Sequence, residues 1–292
     1  MATSPMSPVI QSLRRAVLVQ DHGGMTDGQL LDRYVHTREE AAFEALVRRH
    51  GPMVLGVCRR ILGNSHDADD AFQATFLVLI RKAASVAPPA MLPNWLHGVA
   101  RQTAVRARSA AAKRRLRERQ VTHLPEPPAR ETAPWHDLRP LLDQELACLP
   151  SYYRAAVVLC DLEGKTHQQA ARHLGWPVGT LASRLSRGRR ILAKRLTRRG
   201  LVLTGATLAA VLSQNVSSAC LPTSLVSSTV QAGSPFGAGQ AFGAGIISPT
   251  VIALARRGEQ SAGFGIRGWG RRDRAEAAWP GGGRDQGQAG DH

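Results

Sequence analysis

The segment from Leu162 to Leu196 has the pattern of two helices joined by a tight turn, and no other segment constrains the fold as strongly. Thr166 can cap a helix, and Gln169 three positions later completes a capping box. Gly175 suits the tight turn, and Pro177 suits the start of a second helix. The segment therefore predicts a helix-turn-helix.

The second helix of this motif has two distinct faces. Its apolar positions recur every three or four residues and predict a buried stripe, formed by Val178, Leu181, Leu185, Gly188, Leu192 and Leu196. A neighbouring polar and basic stripe contains Thr180, Ser183, Arg184, Arg187, Arg190 and Lys194. Hydroxyl and guanidinium groups on such a helix can contact base edges and phosphates in a major groove. The alternative is a solvated basic helix in an ordinary bundle.

The charge of the chain also indicates a polyanionic partner. Lys and Arg number 38 against 22 Asp and Glu, which gives a net charge of +16. The basic residues concentrate in the ranges 101–119 and 184–199. The four cysteines form no C-x-x-C pair, so we expect neither a disulfide framework nor a zinc site, and a reducing cytosol fits best.

Helical periodicity and proline-rich breaks predict an all-α chain with two small helical domains joined by a flexible linker, and no segment shows strand alternation. The expected divisions are a loose leader at 1–25, a first domain at 26–119, a Pro-rich linker at 120–137, a second domain at 138–199, an uncharged extension at 200–255 and a Gly/Arg-rich tail at 256–292. Low aliphatic content predicts disorder in the tail.

Two blocks of sequence resemble one family. The first contains DADDAFQATFLVLIRK and PNWLHGVARQTAVRARSAAAKRRLR, and the second contains LPSYYRAAVVLCDLEGKTHQQAARHLGWPVGTLASRLSRGRRIL. They resemble regions 2 and 4 of extracytoplasmic-function (ECF) sigma factors of the sigma-70 family, the promoter-recognition subunits of bacterial RNA polymerase. The blocks span about 40–119 and 138–196. The segments QATFLVL and NWLHGVA, together with a C-terminal extension, resemble those of sigma factors from planctomycete-like bacteria.

The resemblance implies that one helix docks on the clamp of core RNA polymerase. The residues that match this role are Asp67, Asp69, Asp70 and Gln73. The three aspartates also suit the capping of a helix N-terminus, and both roles can hold together. Many relatives carry Glu after the Gln, whereas this chain carries Ala74, which removes one acidic contact.

The resemblance places the pocket for the melted −10 element near the loop 85–93 and the helix that follows. The candidate residues are Asn94, Trp95, His97, Arg101, Arg106 and Arg108. Core packing is the favoured alternative for Trp95, and helix capping for Asn94. The arginines, with Lys113, Arg114 and Arg115, are more plausible at phosphates, where they set affinity and salt dependence rather than sequence choice.

The resemblance also places the second helix of the helix-turn-helix in the major groove at the −35 element. The candidates for base contacts are Thr180, Ser183, Arg184 and Arg187. The candidates for backbone phosphates are Lys165, Thr166, Arg189 and Arg190.

The uncharged stretch 201–255 is apolar in part but carries polar residues that make it a poor membrane span. Membrane association is one alternative for it, and a packed or regulatory extension is the other.

We therefore expect a cytoplasmic initiation factor that is not an enzyme, needs no cofactor and binds core RNA polymerase and promoter DNA. An anti-sigma factor is a further possible partner. One alternative is a stand-alone helix-turn-helix regulator, which has no need of the first block. Another is a metal-dependent DNA recombinase or nuclease that uses Asp67, Asp69 and Asp70, but these acids lack accompanying ligands.

Overall fold

The computed structural model describes residues 24–121, 135–200, 221–237 and 248–267. Every regular element in these ranges is helical, and no strand occurs among them, so the prediction of an all-α fold is confirmed. The expected leader up to residue 23, most of the linker, parts of the extension, Cys220 and the tail from 268 lie outside the described residues.

The first helical domain contains four helices. They are α1 (Asp27–Thr37), α2 (Glu40–Leu62), α3 (Ser65–Lys82) and α4 (Leu92–Val121), with short 3₁₀ turns at Ala83–Ser85 and Pro89–Met91. Helices α2, α3 and α4 pack against one another, and α1 packs on α2. Their inward side chains form an apolar core that includes Phe43, Phe72 and Phe76. Edge-on and tilted contacts between these rings fill its centre.

The second helical domain contains four further helices. They are α5 (Trp135–Ala147), α6 (Ser151–Val157), α7 (His167–Leu174) and α8 (Val178–Arg198), and a π-helical turn at Val158–Leu162 extends α6. Helix α8 packs on α5, α6 and α7. A Cβ at Gly188 of α8 would lie 3.3 Å from the Tyr153 carbonyl oxygen, so glycine allows the close approach of α6 and α8.

Two more helices form the C-terminal helix pair, α9 (Thr223–Gly237) and α10 (Pro249–Arg267). Helix α10 packs on α3 and α4, and α9 packs on α3 and α2. Helix α10 continues to Arg267, into the Gly/Arg-rich segment that the sequence assigns to the tail. In the described part of the chain, no helix has the length and apolar character needed to cross a membrane.

Local capping explains where α3 begins, and it corrects one prediction. Gly63 adopts a left-handed conformation, with a φ of 67°, and ends α2. The Asn64 side chain then accepts a hydrogen bond from the His66 backbone N–H at 3.0 Å and caps α3. The cap is therefore Asn64, not one of the aspartates, and Asp67 lies in the first turn, where it favours the helix dipole.

The two helical domains share one continuous apolar core in this structure. Helix α5 packs on α2, and α6 with its π-helical turn packs on α4. Several buried polar side chains also meet at this boundary, and they determine which candidate residues face solvent.

Candidate nucleic-acid interface

The helix-turn-helix forms as the sequence predicts. The Thr166 hydroxyl accepts a hydrogen bond from the Gln169 backbone N–H at 3.3 Å, and the Gln169 side chain accepts one from the Thr166 N–H at 3.0 Å. Gly175 has a φ of 67° and ends α7. The predicted stripe of α8 is buried except at its first position, since Val178 is 47% exposed. Val178 lies at the start of α8, before the helix reaches the core.

The basic side of α8 faces away from the core. Ser183, Arg187 and Arg190 are exposed, whereas Thr180 is half-buried. These side chains therefore present hydroxyl and guanidinium groups on a solvent-facing helix surface, as contacts in a major groove require.

Arg184 is held by two aromatic rings. Its guanidinium carbon lies 4.2 Å from the ring centroid of Trp176 and 5.4 Å from that of Tyr152. Such cation–π contacts orient a guanidinium before any ligand arrives. Trp176 follows the turn glycine directly, so the turn itself positions this arginine.

The candidates for backbone phosphates differ in their partners. The Arg189 Nε donates to Asp161 Oδ2 at 3.0 Å, and this hydrogen bond raises the pKa of Arg189. The Lys165 Nζ lies 2.9 Å from Glu163 Oε2. Thr166 is exposed, and its hydroxyl serves the helix cap. Arg189 and Lys165 must therefore release an internal carboxylate before either can bind a phosphate.

Two candidates for the −10 element lie inside the boundary between the domains. His97 is fully buried, with Nε2 3.3 Å from Asp143 Oδ1, and burial lowers its pKa. Asn94 is 7% exposed, and its side-chain oxygen accepts a hydrogen bond from Arg154 Nε at 2.6 Å. Because α4 begins at Leu92, Asn94 lies within the helix, and the capping alternative is wrong. Base contacts by either residue require the two domains to separate.

Trp95 and the arginines of α4 lie in different environments. Trp95 is half-buried and packs against the core, and its Nε1 is buried without a hydrogen-bond partner. Arg101 is half-buried, whereas Arg108 is exposed. The Arg106 Nη1 donates to the Arg257 carbonyl oxygen of α10. The more distal basic residues Lys113, Arg114 and Arg115 are all exposed.

The acidic candidates lie at the start of α3 and are partly covered. Asp67 Oδ1 lies 3.9 Å from Arg114 Nη2. Burial raises the pKa of both Asp69 and Asp70. The Gln73 side chain donates to the Ser228 hydroxyl of α9 at 2.9 Å. Among the described residues, no group of three or more His, Cys, Asp or Glu is arranged to hold a metal ion.

A buried charge cluster joins the domains, and no local sequence pattern predicts it. His50 of α2 is fully buried, with Nδ1 2.7 Å from Glu163 Oε1 and Nε2 3.1 Å from Asp27 Oδ2. Burial alone lowers the pKa of His50, but the two carboxylates outweigh burial and raise it to about 9. His50 is therefore an imidazolium that links α1 to the segment before the helix-turn-helix.

Comparisons with known proteins agree with this geometry. Residues 46–115 match the family Sigma-70 region 2, and residues 139–192 match Sigma-70 region 4. The first match covers most of α2, α3 and α4, and the second covers most of α5 to α8.

Individual relatives are similar over the same part of the chain. The ECF RNA polymerase sigma factor SigE of Mycolicibacterium smegmatis is 36% identical over 168 residues, which are 53% of this chain and 63% of that relative. SigM of Mycobacterium tuberculosis, also an ECF RNA polymerase sigma factor, is 33% identical over 59% of this chain and 85% of its own length. The RNA polymerase sigma-H factor of Pseudomonas aeruginosa is 28% identical over 58% and 93%, respectively.

Both family regions occur in the order that the sequence predicts, and each coincides with one of the helical domains. The chain therefore belongs to the ECF group of the sigma-70 family, the alternative sigma factors that direct transcription.

Proposed function

We propose that this chain binds core RNA polymerase and promoter DNA and directs transcription initiation without catalysing a reaction itself. The observation that carries the proposal is the pairing of a region 2 domain with a helix-turn-helix whose outer face is basic. Each domain is a weak binding module, and a connection between them raises the effective concentration of the second once the first is bound.

The −35 element is the proposed target of α8. The exposed Ser183 and Arg187, with Thr180 and the ring-supported Arg184, contact base edges. Arg190, Arg189, Lys165 and Thr166 contact phosphates along the same groove. The cation–π support of Arg184 favours a base-reading role, because an oriented guanidinium loses less side-chain entropy on binding.

The −10 element is the proposed target of α4. Arg101, Arg106 and Arg108 contact phosphates, while Asn94, Trp95 and His97 lie nearest to the strand after melting. Because Asn94 and His97 are buried against the second domain, this step follows separation of the domains on polymerase. Single-stranded bases can then be held by stacking and edge hydrogen bonds.

The proposed polymerase contact is the N-terminal half of α3, through Asp67, Asp69, Asp70 and Gln73. Acidic groups there would meet basic groups on the clamp and steer the encounter. Ala74 is buried, so the difference from relatives that carry Glu at this position lies in the protein interior. A cytoplasmic location follows from the polymerase partner. An anti-sigma partner and an origin in planctomycete-like bacteria belong to the same proposal.

Core polymerase binding and promoter-dependent transcription test the proposal together. Purified core enzyme is incubated with the full chain, and retention and transcripts from a genomic fragment library are measured, with a second sigma factor as competitor. Arg187→Ala combined with Arg190→Ala should abolish specific transcripts but preserve retention, whereas Arg198→Ala, also exposed on α8, should change neither strongly.

The opposite outcome identifies the stand-alone regulator. Tight duplex DNA binding without polymerase retention would overturn the proposal, provided that the variant Gly233→Leu also fails to bind polymerase. That variant is needed because α9 packs on α3, the proposed polymerase contact. A Cβ at Gly233 would lie 2.8 Å from Ile80 Cδ1 on α3, so the larger side chain loosens α9.

A further inference from the structure

Helix α3 has almost no free surface beyond its first two turns. Every residue from 71 to 80 is buried except Gln73, which is half-buried. A helix that is buried on all sides has neighbours on all sides. Helices α2 and α4 occupy one side of α3, and the C-terminal helix pair occupies the other.

The C-terminal helix pair presents apolar stripes of small side chains towards this surface. On α9 the buried positions include Val226, Val230 and Gly233, and on α10 they include Val251, Ala255 and Gly258. Both sets follow a spacing of four and three residues, which places each on one helix face. The helix α9 carries no charged residue, so little desolvation opposes its burial.

Glycines bring the helix pair unusually close to the first domain. A Cβ at Gly258 would lie 2.7 Å from Val78 Cγ2, and a Cβ at Gly233 would lie 2.8 Å from Ile80 Cδ1. A Cβ at Gly51 of α2 would likewise lie 2.6 Å from Leu221 Cδ2. These close approaches mean that nothing else fits between α3 and the helix pair.

Polar contacts tie the helix pair to residues with proposed functions. The Ser228 hydroxyl receives the hydrogen bond of Gln73, a proposed polymerase contact. The Arg257 carbonyl oxygen receives the hydrogen bond of Arg106, a proposed phosphate contact. Glu259 Oε1 also lies 4.0 Å from Arg81 Nε at the end of α3. One structural unit thus occupies parts of both proposed binding surfaces.

We propose that α9 and α10 form an intramolecular cover on α3, so that the cover and core RNA polymerase compete for the same helix surface. The cover must leave before a partner can lie along α3 and reach Gln73. This inference rests on the proposed function, because it takes α3 as the polymerase contact. The full chain is then a self-restrained sigma factor whose apparent affinity is the intrinsic affinity multiplied by the fraction of uncovered molecules.

A reversible cross-link tests the competition within the full chain. A Cβ at Gly258 would lie 4.0 Å from Val78 Cβ, which suits a disulfide. In the variant Val78→Cys with Gly258→Cys, and with the exposed Cys148 replaced by Ser, oxidation locks α10 on α3. We expect the oxidised form to bind core polymerase about tenfold or more weakly than the same protein after reduction.

One control isolates the effect of the lock, and a matched pair of variants tests the cover without a cross-link. The variant with Val78→Cys and Cys148→Ser alone cannot form this cross-link, so oxidant and reductant should leave its polymerase affinity unchanged. Gly233→Leu, which forces α9 away from Ile80, should bind more tightly than the unaltered chain. Ser227→Leu adds the same side chain on the exposed side of α9 and should bind as the unaltered chain does.

The outcomes separate the cover from the proposed function. Equal polymerase affinity of the oxidised and reduced double-cysteine variant, with binding retained, would overturn the cover and leave the sigma-factor function standing. Absence of polymerase binding by every form, including the reduced variant and Gly233→Leu, would overturn the proposed function and the cover with it. If Gly233→Leu fails to fold, the cross-link comparison still decides.

Discussion

Arg60 of α2 and Asp143 of α5 form a buried ion pair with two hydrogen bonds, Nε to Oδ2 at 2.8 Å and Nη2 to Oδ1 at 2.9 Å. Their side chains are 3% and 0% exposed. Burial alone raises the pKa of Asp143, but the charge and hydrogen bonds of Arg60 outweigh it and hold the pKa at about 2. The pair therefore fixes the second domain against the first.

We expect Asp143→Ala to lower the free energy of unfolding by about 3–5 kcal/mol, because Arg60 would remain buried without its carboxylate. Denaturant unfolding of the full chain, followed by circular dichroism, measures the change. Arg33→Ala removes a more exposed ion pair, whose partner is Glu39, and should lower it by less than about 1 kcal/mol.

A matched apolar replacement sharpens this test. Arg60→Met combined with Asp143→Leu removes both charges and should recover most of the lost stability. A single Asp143→Ala variant that loses less than about 1 kcal/mol would contradict a tightly buried pair.

The domain boundary should weaken as the pH rises. The pKa of His50 is about 9 in the closed structure, against an ordinary value of 6.5. Its contribution to stability is therefore complete below pH 6.5 and is lost as the pH rises through about 9. The charged and titratable groups around it are Asp27, Arg49, Glu163, Lys165 and His173.

Melting temperatures measured between pH 6 and pH 9.5 test this expectation. The unaltered chain should become less stable over the range, and His50→Gln should reduce the slope. His66→Gln replaces an exposed histidine and should preserve the slope of the unaltered chain. A slope that is the same in His50→Gln would show that another group carries the pH dependence.

Removal of the helix cap at Thr166 should destabilise the helix-turn-helix. Thr166→Ala loses the hydrogen bond to the Gln169 N–H, and we expect a loss of about 1 kcal/mol in unfolding free energy. Thr166→Ser retains a hydroxyl and should stay close to the unaltered chain. Equal losses in the two variants would mean that the hydroxyl does not stabilise α7.

Base reading and phosphate binding by α8 predict different responses to substitution. Arg184→Ala should reduce discrimination at one base pair of the −35 element by about 1–3 kcal/mol. Arg190→Ala should weaken binding to all sequences alike. It should also reduce the slope of log affinity against log salt concentration by about one. Affinities for a panel of promoter variants at two salt concentrations measure both effects, and uniform weakening by Arg184→Ala would argue against base reading there.

Local sequence signals were sufficient for most of the helices. The capping box at Thr166, the turn at Gly175 and the apolar stripe of α8 all depend on residues within one or two turns, and the structure confirms them. Two capping predictions were wrong, and the reasons are also local. Asn64 competes with the nearby aspartates for the cap of α3, and the helix start at Leu92 puts Asn94 inside α4.

The tertiary structure alone decided which candidate residues face solvent. His97 has the same neighbours in sequence whether it is a DNA contact or a buried partner of Asp143, 46 positions away. His50 and Glu163 lie 113 positions apart, so no periodicity relates them. Buried charges pair through the path of the chain, and that path depends on the packing of whole helices rather than on local propensity.

The C-terminal helices show the same division. The sequence determined that the extension 201–255 is uncharged and apolar in part, but such a segment could equally well face a membrane, a partner or the rest of the chain. Only the packed structure shows that Gly233 and Gly258 let α9 and α10 close on α3. Helical pattern is a property of neighbouring residues, whereas the choice of packing partner requires complementary shapes from distant parts of the chain.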